Sequence, residues 1–207
     1  MYVVFLAGGI ASGKSTVASR MEELGAWRCD LDGISRDVLG PGMPCTEEVA
    51  SAFGEDLIDP DTGELDRRTL AGRAFATPED AARLEAIELP YIREALSRAL
   101  GDDCCASTMP AVAVVEVPLL DRMTDMLDLA DEIVCVTCPF ETRELRAVGR
   151  GMTAEDFRRR AANQPSDEWL VAHSDTVLDN RGDADQLVAK VDDWWQTREQ
   201  EGWSHGE

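Results

Sequence analysis

Gly8-Gly9-Ile10-Ala11-Ser12-Gly13-Lys14-Ser15-Thr16 decides the fold, because of what stands on either side of it. Before it, residues 2–7 (Tyr-Val-Val-Phe-Leu-Ala) form an apolar run of strand-forming residues. After it, Val17 to Leu24 reads as helix, closed by Gly25. Strand, glycine-rich turn and helix, with G-x-x-x-x-G-K-S at the turn, describe a loop that holds phosphate. Backbone N–H groups can grip several charges only if the loop curls round the anion, and Gly8 and Gly13 remove the Cβ atoms that would block it. The helix beginning near Lys14 turns its positive dipole end to the same place. Lys14 is then expected to reach the β- and γ-phosphates, and the Ser15 hydroxyl to ligate Mg²⁺. Gly9, Ala11, Ser12, Gly13, Lys14, Ser15 and Thr16 are the candidate nucleotide contacts.

Composition bounds what else the chain can be. At 207 residues it makes one large domain, or a core with insertions. With 29% charged and 44% hydrophobic residues it reads as a soluble globular protein, and no apolar run approaches the ~20 residues that cross a bilayer. Met1-Tyr-Val-Val-Phe lacks the basic start of a signal peptide, so a cytoplasmic location and no membrane association are expected. Net charge is −21, from 41 acidic and 20 basic residues, and no basic face is visible for nucleic acid. A polyanionic substrate meets overall repulsion, so the site must gather its own cations. Only Lys14 and Lys190 are lysines; the other cations are arginines. Six cysteines (29, 45, 104, 105, 135, 138) read as packing residues. Cys135-Val-Thr-Cys138 has metal-site spacing, but it lies in a strand-like run with no second pair to complete a site.

Along the chain, 26–29, 111–117, 132–137 and 175–179 are further strand candidates. Helical patterns fall at Ile34 to Leu39, from Thr46 to Phe53, Leu65 to Phe75, and from Thr77 through Leu96 with an interruption or kink at Pro90. Two helical segments occupy 140–165, and a final helix runs from Ala184 to Thr197 before a polar, frayed tail. Short apolar strands separated by helices predict an α/β fold with a parallel five-stranded sheet flanked by helices. Gly8, Asp30, Asp32, Pro118 and Asn180 all follow strand ends and should converge on the carboxyl rim, where such sheets bind ligands. The expected organisation is a nucleotide-binding core (1–33, 102–138, 166–207), a helical substrate-binding insertion (34–101) and a helical lid (139–165).

Phosphoryl transfer needs a positioned acceptor oxygen and cations that follow developing charge. Asp32, just past the second strand, is the candidate base for an acceptor hydroxyl; Asp30 divides between that role and capping the next helix. Arg36, one turn on, is placed to meet a substrate phosphate. Arg146 and Arg150, four apart, share a helix face. Arg160 and Gln164 repeat the spacing, as a lid closing over the nucleotide would need. Neither His173 nor His205 has a visible catalytic partner.

Taken in order, the motifs are Gly-Gly-Ile-x-Ser-Gly-Lys-Ser-Thr, Asp30-Leu-Asp32-x-x-x-Arg36, Gly40-Pro-Gly, Phe53-Gly54 and Gly63-Glu-Leu-Asp66-Arg67-x-x-Leu70 with Phe75. Val117-Pro-Leu-Leu120, Arg146-x-x-x-Arg150, Arg160-x-x-x-Gln164 and Asp179-Asn180-x-Gly182 follow. This ordered set, spanning 2–195, resembles the dephospho-coenzyme A kinases, a family with a P-loop NTPase core. The resemblance implies ATP- and Mg²⁺-dependent phosphorylation of the ribose 3′-hydroxyl of dephospho-coenzyme A. It implies Asp32, Lys14 and Arg146 as catalytic residues, and Arg150 and Asn180 beside the loop on the nucleotide. Asp30, Arg36, Asp66, Arg67, Pro118 and Leu119 are implied on the acceptor, in a monomer or weak homo-oligomer. Ala11 stands where the family usually has glycine, and Leu89, Asp121-Arg122 and His173-Ser174-Asp175 also depart from its pattern. Two rivals are another P-loop kinase for a nucleoside monophosphate or small metabolite, and a GTP-dependent switch. The switch would read Asp30-Leu-Asp-Gly33 and Asn180-Arg-Gly-Asp183 as guanine-protein motifs, but Asp30 follows the phosphate loop too closely for the intervening switch segment.

Overall fold

The computed structural model describes residues 1–101 and 110–203; Cys104, Cys105, His205 and the expected boundary at 102 lie outside them. The described residues form two compact units, 1–29 with 110–203 and 30–101. The first is built on a parallel sheet of five strands: β1 (Tyr2–Ala7), β2 (Trp27–Cys29), β3 (Val112–Glu116), β4 (Glu132–Thr137) and β5 (Thr176–Asp179). Their spatial order is β2-β3-β1-β4-β5. β1 is central and every one of its residues is buried, which is why it reads as an unbroken apolar run. Val4 sits opposite Val114 on one side and Glu132 on the other. Over one face lie α1 (Lys14–Glu23) and α9 (Ala184–Gln200), which bring Val17, Met21, Leu187 and Val191 onto Val4, Leu6 and Val134. Because all strands run the same way, the segments after β1, β3, β4 and β5 leave from one rim.

The same unit holds α6 (Phe140–Gly149), α7 (Ala154–Ala161) and α8 (Asp167–Ala172). α8 is not anticipated from the sequence, because six residues are too few to show a period. Its start carried a local signal: the Ser166 hydroxyl accepts from Trp169 N–H, and Asp167 and Glu168 follow.

The second unit is helical: α2 (Leu31–Val38), α3 (Pro44–Phe53), α4 (Arg67–Ala74) and α5 (Pro78–Leu100). α2 starts three residues earlier than the apolar pattern predicts, because Asp30 accepts from Gly33 N–H at 2.8 Å and so caps it. α5 passes through Pro90 without a break. Proline removes one helical hydrogen bond there, while buried Leu84 and, beyond it, Ile92 and Leu96 hold both halves in the packing.

The expected frayed tail from Arg198 is corrected by the structure. α9 runs on to Gln200, and Arg198 donates from Nε (2.7 Å) and Nη2 (2.9 Å) to Glu132, which is 2% exposed. Tyr2 Oη (2.8 Å), Thr176 Oγ1 and Trp194 Nε1 (3.0 Å) donate to the same carboxylate. Trp203 then packs its ring against Tyr2, Trp194 and Trp195. Burial alone would raise the Glu132 pKa, but the hydrogen bonds from Arg198, Thr176, Trp194 and Tyr2 outweigh it and hold the carboxyl at about 2. A carboxylate depressed on folding adds stability above its unfolded pKa of about 4.3 and loses it as pH falls towards the folded value. Glu132→Ala should therefore cost roughly 3–5 kcal/mol in urea unfolding at neutral pH, since it removes the buried partner of Arg198 Nε and Nη2 and leaves only the exposed pair with Glu201. The gap to the parent should stay level above about pH 5 and narrow from there towards pH 2. A gap that does not narrow would show that the carboxylate charge is not what holds α9.

Candidate active site

The phosphate loop leaves β1 at Gly8 and ends where Gly13 caps α1. Both glycines are required: their φ values are 145° and 114°. A Cβ on Gly8 would lie 2.5 Å from the Val136 carbonyl oxygen, and one on Gly13 2.4 Å from Asn180 Nδ2. No side chain caps the first turn of α1, which leaves that positive helix end to an anion. Lys14 Nζ donates to the Gly8 (2.6 Å) and Gly9 (3.0 Å) carbonyls. Burial pushes its pKa below the ordinary lysine value, with Glu116 pulling the other way.

Beneath the loop, Asn180 is buried and its Nδ2 donates to the Ser12 carbonyl at 2.7 Å. Arg146 Nη2 reaches Asn180 Oδ1 (3.4 Å) and the Gly182 carbonyl (3.3 Å), and Nη1 reaches Cys138 Sγ (3.3 Å). The structure thus brings Arg146 and Asn180 together with Ser12. Arg150 is exposed at the end of α6, its N–H bonded to the Ala147 carbonyl. Thr16 closes the first turn of α1 onto the Gly13 carbonyl. The carbonyl of Pro118, just before Leu119, accepts from Gln164 Nε2 at 3.5 Å, and Gln164 Oε1 accepts from Ile10 N–H at 2.6 Å.

Two residues that the sequence reading passed over belong to this group. Glu116, the last residue of β3, accepts from the Ser15 hydroxyl at 3.3 Å and pairs with Arg28. Its signal was an acid closing the apolar run Val112-Ala-Val-Val. Arg143 is 7% exposed and lies against Gly9. Nothing but its place in the first turn of α6 set it apart from the other arginines.

In the helical unit the remaining candidates gather around α2. Asp30 caps it and accepts from Arg36 Nη2 at 3.2 Å, while Asp32 is exposed in its first turn. Arg67 Nη2 donates to the Arg36 (2.8 Å) and Leu39 (3.4 Å) carbonyls, where α2 ends. Asp66 caps α4 through the N–H groups of Arg68 and Thr69. His173 stacks on Trp169.

A phosphate loop on the central strand of a parallel sheet, with a lysine on the loop carbonyls and an arginine-bearing helix beside it, defines a P-loop kinase. The comparisons give the family: the Dephospho-CoA kinase model matches residues 2–186, and the chain belongs to that family. Dephospho-CoA kinases of Corynebacterium diphtheriae and Streptomyces avermitilis are 41% and 40% identical to it. These alignments cover 95% and 94% of this chain, and 96% and 93% of the relatives. A crystal structure from Thermus thermophilus superposes with a TM-score of 0.74 at 26% identity, covering 95% of this chain and 97% of that one. The dephospho-CoA kinase of Campylobacter jejuni gives 0.68 at 22%, over 97% and 98%, and shares the fold.

Ala11, where the family pattern has glycine, adopts a left-handed φ of 59°. That conformation costs a residue with a Cβ about 1–2 kcal/mol, part of which Ala recovers through its stiffer unfolded chain. Ala11→Gly should raise stability by about 0.5–1 kcal/mol, seen as a higher thermal midpoint. A lower midpoint would mean that the Ala11 methyl group contributes packing worth more than the backbone strain.

Proposed function

We propose that the protein transfers the γ-phosphoryl group of ATP to the ribose 3′-hydroxyl of dephospho-coenzyme A, giving coenzyme A and ADP, the last step of coenzyme A synthesis. The observation that carries this is a complete phosphate loop in a chain that the Dephospho-CoA kinase family matches over residues 2–186. The Lys14 ammonium exchanges the Gly8 and Gly9 carbonyls for β- and γ-phosphate oxygens, and its partial burial strengthens that contact. The start of α1, which no side chain caps, turns its positive end and N–H groups to the phosphates from the other side. Asp32 accepts the proton of the 3′-hydroxyl as its oxygen bonds to phosphorus and the bond to ADP breaks. Arg146 and Arg150 meet the nucleotide when the 139–165 segment closes, and Asn180 keeps the loop in shape from below.

Ser15 Oγ and the Glu116 carboxylate, 3.3 Å apart, are hard oxygen donors of the kind Mg²⁺ takes beside phosphate oxygens and water. Bound there, the ion neutralises charge on the transferred group. Asp30, Arg36, Asp66, Arg67, Pro118 and Leu119 are assigned to the acceptor by family resemblance. The enzyme works on small molecules in the cytoplasm, as a monomer or weak homo-oligomer.

The test is mass spectrometry of dephospho-coenzyme A incubated with the protein, ATP and Mg²⁺, beside a panel of nucleoside monophosphates and small alcohols. One phosphoryl group should appear on the ribose 3′-oxygen of dephospho-coenzyme A, and transfer confined to another acceptor would overturn the assignment. Asp32→Asn should lower kcat by about 10²–10⁴-fold with ATP affinity retained. If Asp30→Asn cripples turnover and Asp32→Asn stays within a few-fold of the parent, the base has been misassigned.

A further inference from the structure

Gly9 is the one loop glycine whose backbone does not demand glycine. Gly8 and Gly13 have left-handed φ values, and Gly9 does not. What stands in the way of a side chain at position 9 is the Arg143 guanidinium, which would have to shift: a Cβ there would stand 1.7 Å from Nη1 and 2.9 Å from Cζ. The guanidinium therefore occupies the space that a side chain at Gly9 would fill.

An arginine in a first helical turn ordinarily reaches solvent, and this one does not. Arg143 Nη2 pairs with Asp167 Oδ2 at 3.1 Å, at the start of α8, and Cζ lies 5.7 Å from the centre of the Phe140 ring. Its Nε is buried and finds no hydrogen-bond partner among the described residues. Keeping a cation inside with one donor unmet is costly, so the fold needs a return elsewhere. The peptide it presses on bears the Gly9 carbonyl, on which Lys14 rests, and the next N–H, that of Ile10, is held by Gln164.

We propose that Arg143 is a positioning residue for ATP. Its guanidinium, packed on Gly9 and anchored by Asp167, fixes the Gly8–Ile10 turn in its phosphate-receiving shape and sets a permanent charge beside Lys14. This deepens the kinase reading and rests on it. The contribution belongs to the nucleotide side: it is felt in ATP affinity and not in the KM of the acceptor. It also depends on the flat guanidinium, so lysine is a poor substitute.

The test is a cycle of parent, Gly9→Ala, Arg143→Gln and the double variant, measured by equilibrium ATP binding, by steady-state kinetics against both substrates, and by thermal unfolding. Arg143→Gln should weaken ATP binding by about ten- to a hundredfold, the range of a lost charged contact. The KM for dephospho-coenzyme A should move by less than about twofold. Gly9→Ala displaces the guanidinium, so the double variant should bind ATP about as well as the weaker single one, where independent sites would multiply their losses. Arg143→Lys should recover little. Asp167→Asn, at a half-exposed position, releases the guanidinium with little threat to folding and should weaken ATP binding in the same selective way; if Arg143→Gln fails to fold, this variant decides. The proposal is overturned if Arg143→Gln or, in that case, Asp167→Asn binds ATP as the parent does, if both substrates are affected alike, or if the Gly9 and Arg143 losses multiply. The kinase reading fails separately, if the parent leaves dephospho-coenzyme A unphosphorylated.

Discussion

A loop that must offer N–H groups to an anion can spare few of them to hold itself together, here those of Ile10 and Ser12. Its carbonyls have to do the rest, and the hydrogen bond from Asn180 to Ser12 is the buried member of the set. Asn180 is itself fixed, since its own N–H donates to the Thr137 carbonyl at the end of β4. The central strand, its neighbour and the segment after β5 are therefore tied at one point, directly under the loop. Gly13 must be glycine because that amide fills the space beside it. The Gly8 and Gly9 carbonyls are held by the Lys14 ammonium.

The second constraint is charge. With a net charge of −21 the protein repels both of its proposed substrates at a distance, though screening confines that field to ~8 Å at physiological ionic strength. Lys14, Arg143 and Arg146 are all packed against the loop or its supports. Each is drawn out of bulk solvent, where its field on a phosphate is less weakened. Glu116 and Asp167 are acidic residues beside these cations, paired with Arg28 and Arg143.

Much of this was open to reading from the residues. The β1–loop–α1 unit, five strands and the placing of Lys14, Arg146 and Asn180 at the loop follow from apolar runs and motif spacing, because parallel strands and phosphate loops leave contiguous patterns. What could not be read depends on contacts between distant segments. Glu132 looked like a charge at the edge of a strand until Arg198, Trp194 and Tyr2 closed on it. Arg143 was one arginine among many; the Gly9 surface that sets it apart lies in a different part of the chain. Asp30 and Asp66 were legible as residue types, but their capping bonds depend on where α2 and α4 start. Element ends differ for the same reason, since a cap decides them locally and an apolar period does not.

The Glu132 carboxylate also bears on the order in which this chain comes together during synthesis. β1 emerges first, yet its neighbours in the sheet are β3 and β4, made more than a hundred residues later. Its Tyr2 hydroxyl waits for Glu132, and Glu132 waits for Arg198. A nascent chain can form α1 and the helices of 30–101 from neighbouring residues, but it has no way to finish the sheet that carries the phosphate loop. The apolar central strand that carries the phosphate loop thus has no partner on either side until β3 and β4 have been made.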